Sequence, residues 1–475
     1  MTKRTTTAVI ATLTVLAALL RLPGLDSGLW FDEIVTLVES VRLPFRELVA
    51  VFPGNNNHPF YSLLAHLSVS TLGEHPWTLR LPAFIFGVAS IPALYRLGAA
   101  VTSRVESLLA ALLLAVAYHA VWFSQNARGY TALLFFTLVT TLLFVRLSQR
   151  FDRKLAVAYG VLSGLGIYTH LTMAFLAGAH ALVWSWQVWQ ALDRSERSRH
   201  IRTAGLALGA AALVSGLLYL PMAGQVYQVL NGPPESSAAV ATPKWAMFEV
   251  LRGLRIGLGT VGLLIALTLA SLGTMSHLRR MPFIVCLFVL PGVMTAVAML
   301  AMGAPIRPRF FFSLLGFGLL MLVRGAIESE RFVRRHVGYR APRTEICGVL
   351  VVALIAVMSA YSLRNNYRYP KQDFDGALQF IESHRHGSEP VGTSGLAIYP
   401  YEHYYRKAWT ALEKAEQFDR LRASPARAWV VYSFPEYMDP ALVEALERYC
   451  TPQHIFPGTL GGGAVIVCTT MRRSG

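Results

Sequence analysis

Two adjacent carboxylates, Asp32 and Glu33 in GLWFDEIVT, stand a few residues beyond the first strongly apolar stretch. Charge beside lipid is costly, so an acidic pair at this place needs a reason. One reason is local: Asp32 caps the helix that follows. Another is chemical: a carboxylate there takes the proton of a hydroxyl or amine acceptor. Neighbours on a helix diverge by about 100°, so the pair is expected to supply one base and not two groups on one atom. Cations gather in the same set of loops: Arg80, Arg128 in FSQNARGY, and Arg307 and Arg309 in GAPIRPRFF, with His58, His170 and Lys244 in neighbouring segments. Each arginine alone reads as a headgroup-snorkelling residue, but four of them with an acidic pair read as a pocket for an anionic lipid such as a phosphate ester. A base beside a phosphate-binding cluster suits transfer of a sugar from a polyprenyl-phosphate carrier. The leaving phosphate has a second pKa near ~6 and departs as an anion, so guanidinium charge replaces the acidic carboxyl of a glycoside hydrolase. Attack opposite that leaving group inverts the anomeric centre.

The elements that must hold these residues are membrane helices. Of 475 residues, 54% are hydrophobic and 15% charged, against about 45–50% and about 25% in soluble domains. Apolar stretches occur at 7–22, 80–100, 105–123, 130–147, 155–169, 172–190, 203–221, 255–273, 282–302, 310–326 and 344–361, which predicts about eleven transmembrane helices. The formal charge of +16 is explained by where the arginines lie. With the N-terminus cytoplasmic, Arg96 and Arg104, Arg146 to Lys154, Arg194 to Arg202, Arg279 and Arg280, and Arg324 to Arg343 all fall in alternate loops on the cytoplasmic side. Orientation and anionic lipid account for this excess, and no nucleic-acid partner is needed. Counting HPFYSLLAHLSVSTLG, residues 58–73, as a span would turn those loops outward, so it is expected as an interfacial helix within a long first outer loop, 23–79.

An odd number of spans puts residues 362–475 outside as a small α/β domain after a membrane domain of residues 1–361. The tail reads as helices at 373–385, 411–423 and 439–449 and strands near 391–394, 428–433 and 464–469, with Gly461 to Gly463 as a tight turn before the last strand. Cys450 and Cys468 either pair in an oxidising compartment or stay as buried thiols. Residues 232–243, GPPESSAAVATP, read as a flexible loop. No CxxC or Cys/His spacing indicates a metal, and the chemistry requires no cofactor, although a divalent ion is compatible with it.

LWFDE after the first span, then HPFYSLL, LRLPAFIFGVASIPALYRLG and SQNARGY, resemble bacterial relatives of the dolichyl-phosphate-mannose protein mannosyltransferases, glycosyltransferase family 39, and the aminoarabinose transferases of lipid A. The likeness covers residues 5–190 well and RPRFF, YPKQDFDGAL and FPGTLGGGAVIV more loosely. It implies a GT-C fold, an inverting transferase, a lipid-phosphate sugar donor and an active site on the extracytoplasmic face of a bacterial inner membrane. By position, Asp32 matches the family's base, Glu33 its partner and Arg80 a donor-phosphate contact. Arg128 precedes Tyr130 where relatives commonly carry an arginine before a tyrosine. The family's HPP becomes His58-Pro59-Phe60, a departure at the proposed donor contact.

Two other classes also use outward arginines. A transporter or flippase of lipid-linked intermediates would show paired repeats and ionisable residues in mid-span, and the apolar stretches here are nearly free of Asp, Glu and Lys. An O-antigen-type ligase or polymerase needs no acidic pair after the first span.

Overall fold

The computed structural model describes residues 2–54, 57–232, 243–303, 306–337, 345–387 and 389–470. Most of the loop expected at 232–243 lies outside the described residues. In chain order the helices are α1 (Lys3–Arg21), α2 (Phe31–Thr36), α3 (Phe45–Leu48), α4 (Pro59–Leu72), α5 (Pro76–Val101), α6 (Arg104–Val116), α7 (Tyr118–Ser124), α8 (Tyr130–Gln149), α9 (Arg153–Thr169) and α10 (Met173–Gln190). They continue as α11 (Arg194–Tyr219), α12 (Ala223–Asn231), α13 (Pro243–Arg280), α14 (Pro282–Ala301), α15 (Leu315–Val337) and α16 (Ile346–Arg368), and in the tail as α17 (Phe374–His384), α18 (Ala415–Arg422) and α19 (Pro440–Tyr449).

All eleven apolar stretches are helical. Among the described residues, eight helices are long and apolar enough to cross a membrane, or nine if α6 and α7, bent by 56°, form one span. The remaining two stretches are α9 and α10, of 17 and 18 residues. At 1.5 Å per residue α9 reaches about 26 Å, short of a hydrocarbon core of about 30 Å. The segment read as interfacial forms α4, whose 14 residues are too few to cross.

The chain forms two compact units. The first comprises Met1–Pro23, Phe45–Ser68 and Arg80–Leu363. Its helices start where the sequence caps them: the side chains of Ser103, Asp152 and Asp193 accept from the amides of Glu106, Leu155 and Glu196 at the heads of α6, α9 and α11. α13 and α15 cross backbone to backbone, since a Cβ on Gly273 would run into the Met321 carbonyl and one on Gly325 into the Leu269 carbonyl. Ion pairs tie α6, α13 and α15 together. Arg324 pairs with Glu106 at 3.0 Å and Glu328 at 3.1 Å, and Arg280 reaches Glu328 at 3.4 Å.

The second unit comprises Gly24–Pro44, Val69–Leu79 and Arg364–Gly475. Its sheet has the order β2-β1-β3-β5-β4, from β1 (Val391–Gly395), β2 (Thr410–Leu412), β3 (Trp429–Ser433), β4 (Cys450–Phe456) and β5 (Val465–Thr470). β1 is parallel to β2 and β3, whereas β5 is antiparallel to both β3 and β4. Alternate residues of β3 serve opposite faces, as a two-residue period requires. Val430 joins Phe418 of α18 and Leu442 of α19, while Trp429 meets Phe380 of α17 edge-on at 6.2 Å. The sheet is therefore a middle layer. β2 replaces the start of the helix expected from 411, which begins at Ala415, and β4 is a strand where no element was expected. Cys450 and Cys468 form a disulfide across β4 and β5, with Cα atoms 5.6 Å apart. Gly462, at φ 75°, makes the turn before β5.

Candidate active site

Asp32 and Glu33 sit in the second unit, in the first turn of α2. The helix begins at Phe31, so Asp32 is already inside it and the capping bond comes from Glu33, whose Oε2 accepts from the Trp30 amide at 3.3 Å. This corrects the expectation that Asp32 is the cap. Both carboxylates are buried. Tail residues hold the segment in register: the Phe31 amide donates to Gln372 Oε1 at 3.1 Å, the Phe31 ring meets Tyr399 edge-on at 6.1 Å, and Gly28 leaves room for the Asp375 carboxylate. Further along, Arg42 pairs with Glu74 at 2.7 Å, a bond that holds Glu74 below the usual carboxylate range.

The histidines and two of the arginines converge in the first unit. His58 precedes α4, and His170 fills the break between α9 and α10; their rings lie 5.0 Å apart. Tyr130, the first residue of α8, meets His58 at 4.9 Å and His170 at 5.9 Å, and Phe310 closes on His170 at 5.4 Å. Gly129 is what lets the loop approach, because a Cβ there would lie 2.9 Å from His58 Nδ1 and 2.8 Å from Thr169 Cγ2.

These imidazoles are buried beside guanidinium charge. Burial first, then Arg128, His170 and Arg309, holds His58 well below the usual imidazole range, with only the Thr169 backbone working the other way. Burial, Arg128 and Arg309 push His170 down to about 3. Both are neutral at physiological pH, and each ring offers one donor and one acceptor nitrogen. His170 Nδ1 faces Thr172 Oγ1 at 2.7 Å.

The other expected residues are more dispersed. Arg80 is buried on α5, and Arg307 stands at the head of the short 3₁₀ helix Pro308–Leu314 that carries Arg309. Lys244 is exposed at the start of α13. Among the described residues no cluster of three His, Cys, Asp or Glu is arranged to hold a metal ion. Sequence reasoning missed Gly129, Thr169 and Phe310, although the glycine after Arg128 in NARGY was a legible signal of close approach.

Residues 56–220 match the family model described as dolichyl-phosphate-mannose-protein mannosyltransferase. That stretch holds His58, Arg80, Arg128, Tyr130 and His170. Among solved structures, the chain is similar to ArnT from Cupriavidus metallidurans bound to undecaprenyl phosphate, with a TM-score of 0.57 at 13% identity, covering 100% of this chain and 99% of that one. The fold is that of the GT-C glycosyltransferases. A second GT-C structure, the archaeal oligosaccharyltransferase AglB from Archaeoglobus fulgidus in complex with an inhibitory peptide and a dolichol-phosphate, matches with a TM-score of 0.51 at 13% identity, covering 97% of this chain and 74% of that one. The same organism's oligosaccharyltransferase in complex with Zn and sulfate gives 0.52 at 12% identity, covering 94% and 71%. No curated protein matches the chain by sequence.

Proposed function

We propose that the protein is an inverting membrane glycosyltransferase that moves a sugar from a polyprenyl-phosphate donor to an acceptor on the extracytoplasmic side of a bacterial inner membrane. The observation that carries this reading is the set of guanidinium charges from Arg128 and Arg309 around two buried, neutral imidazoles, within a GT-C fold. Such a site binds a phosphate ester through charge and bonds it through neutral donors, and an anion placed there restores the proton affinity that the arginines remove from His58 and His170. The undecaprenyl phosphate of ArnT and the dolichol-phosphate of AglB support a polyprenyl phosphate as carrier.

In the reaction, an acceptor hydroxyl or amine attacks the anomeric carbon, and the bond from that carbon to the phosphate oxygen breaks. The acceptor's proton passes to the Asp32 carboxylate, and polyprenyl phosphate leaves as an anion against Arg80, Arg128, Arg307 and Arg309. Glu33 fixes the first turn of α2 and with it the Asp32 backbone. Tyr130 and His170 border the sugar and phosphate, and Lys244 stands at the acceptor side. No cofactor is required for this displacement.

The test supplies lipid-reconstituted protein with a panel of polyprenyl-phosphate sugars and cell-envelope extract as acceptor source, and reads free polyprenyl phosphate and the anomeric configuration of the product. Release from one donor with inversion is the expected result. Retention of configuration contradicts the single displacement, and absence of release from every donor contradicts the transferase.

A further inference from the structure

A buried arginine closes the first helix, and the chemistry above does not use it. Arg21 is the last residue of α1, and its side chain is fully enclosed. Its Nε donates to Ser124 Oγ at 2.9 Å, its Nη1 to the Ala17 and Ala115 carbonyls at 2.8 and 3.0 Å, and its Nη2 to the Leu114 carbonyl at 3.3 Å. In return, Gln125 Nε2 donates to the Arg21 carbonyl at 3.0 Å and also to the Pro23 carbonyl. Leu114 and Ala115 lie in the last turn of α6, where the bend into α7 orphans carbonyls that find no water among membrane helices. A planar fork of five donors serves three carbonyls and a hydroxyl at once, which an ammonium on a flexible stem does not. Gly87 makes the room: a Cβ there would run into Ser124 Oγ and come within 3.4 Å of Arg21 Nε.

The clamp acts at the base of the site loop. Only Gln125, Asn126 and Ala127, all buried, separate Ser124 from Arg128, whose amide donates to the Asn126 carbonyl at 2.6 Å. Downstream, Thr131 Oγ1 ties the start of α8 to the Ala83 carbonyl of α5 at 2.8 Å. We propose that Arg21 is a positioning residue: through Ser124 and Gln125 it fixes the turn that presents the Arg128 guanidinium to the donor phosphate. A packing role would ask only for volume, which Met or Leu fills without burying a charge. The proposal rests on the reading of Arg128 as a phosphate ligand.

The experiment measures binding of undecaprenyl phosphate to the full-length protein in lipid nanodiscs for wild type, Arg21→Lys, Ser124→Ala, Arg128→Ala and the Arg21→Lys/Arg128→Ala double variant. Thermal melts report folding separately. Arg21→Lys and Ser124→Ala are expected to bind about tenfold more weakly, as small misplacements of a binding group do. Once Arg128 is alanine, Arg21→Lys is expected to cost nothing more, because the two act as one unit. Losses that add in the double variant, or wild-type binding by Arg21→Lys and Ser124→Ala, overturn the positioning role and leave the Arg128 reading intact. Wild-type binding by Arg128→Ala overturns that reading and the proposal together. Where Arg21→Lys does not fold, Ser124→Ala, which removes one hydroxyl, decides.

Discussion

His58 and His170 are neutral because burial and the charges of Arg128 and Arg309 oppose their protonation, and the fold bears the consequence as pH falls. Their folded pKa values lie below the unfolded value of about 6.5, so the unfolded chain takes up protons that the folded chain does not. The stability they contribute is present above about pH 6.5 and is lost as pH falls from there toward the folded values. Melting temperatures measured from about pH 8 to about pH 5 should therefore fall less for a His58→Gln/His170→Gln variant than for wild type. Equal slopes would mean that the imidazoles are not held neutral. His58, Arg128, His170 and Arg309 stand out in the sequence as polar residue types in segments read as outward, since a cation in an outer loop breaks the charge bias of membrane proteins. What was not legible was the convergence of the two rings on Tyr130, which depends on Gly129 and on the break at His170. Arg21 was hidden for a plainer reason: an arginine at the end of an apolar stretch reads as a snorkelling residue, and only the bend between α6 and α7 shows what it binds.

At the scale of elements, the helices are joined by a few buried polar contacts whose removal should be costly. Arg324 is nine-tenths enclosed and joins α15 to Glu106 at the head of α6, with Glu328 on its other side. Arg324→Gln would leave the Glu106 carboxylate buried with its ion pair broken, a change that typically costs about 3–5 kcal/mol. A melting temperature lower by several degrees than that of Arg331→Gln, whose partners are more exposed, is the expected result; equal melting of the two variants would show that the Arg324 pair is not what joins these helices. The helices themselves were readable from apolar runs and from caps such as Ser103 and Asp152. The strands were less so. β2 has three residues, and β4 carries Pro452 and a register shift on an exposed edge, so neither shows the alternation of a buried strand. The place of Asp32 and Glu33 in one compact unit with the tail also escaped the sequence, because contacts such as Phe31 with Gln372 join residues far apart in the chain.

For the whole molecule, the proposed function requires one orientation in the membrane. In the proposed orientation Arg197, exposed near the head of α11, lies on the cytoplasmic side, and Glu413, exposed after β2, on the opposite side. A membrane-impermeant maleimide added to intact cells should label Glu413→Cys and spare Arg197→Cys, with the reverse in inverted vesicles; any other pattern would mean that the spans are miscounted. In the proposed mechanism a carboxylate on α2 takes the acceptor's proton while arginines receive the phosphate. The most direct test compares polyprenyl phosphate release by wild type and Asp32→Asn in lipid at saturating donor and acceptor. Turnover of Asp32→Asn is expected to be lower by about 10²- to 10⁴-fold with undecaprenyl phosphate binding retained, whereas turnover at the wild-type rate would rule out Asp32 as the base.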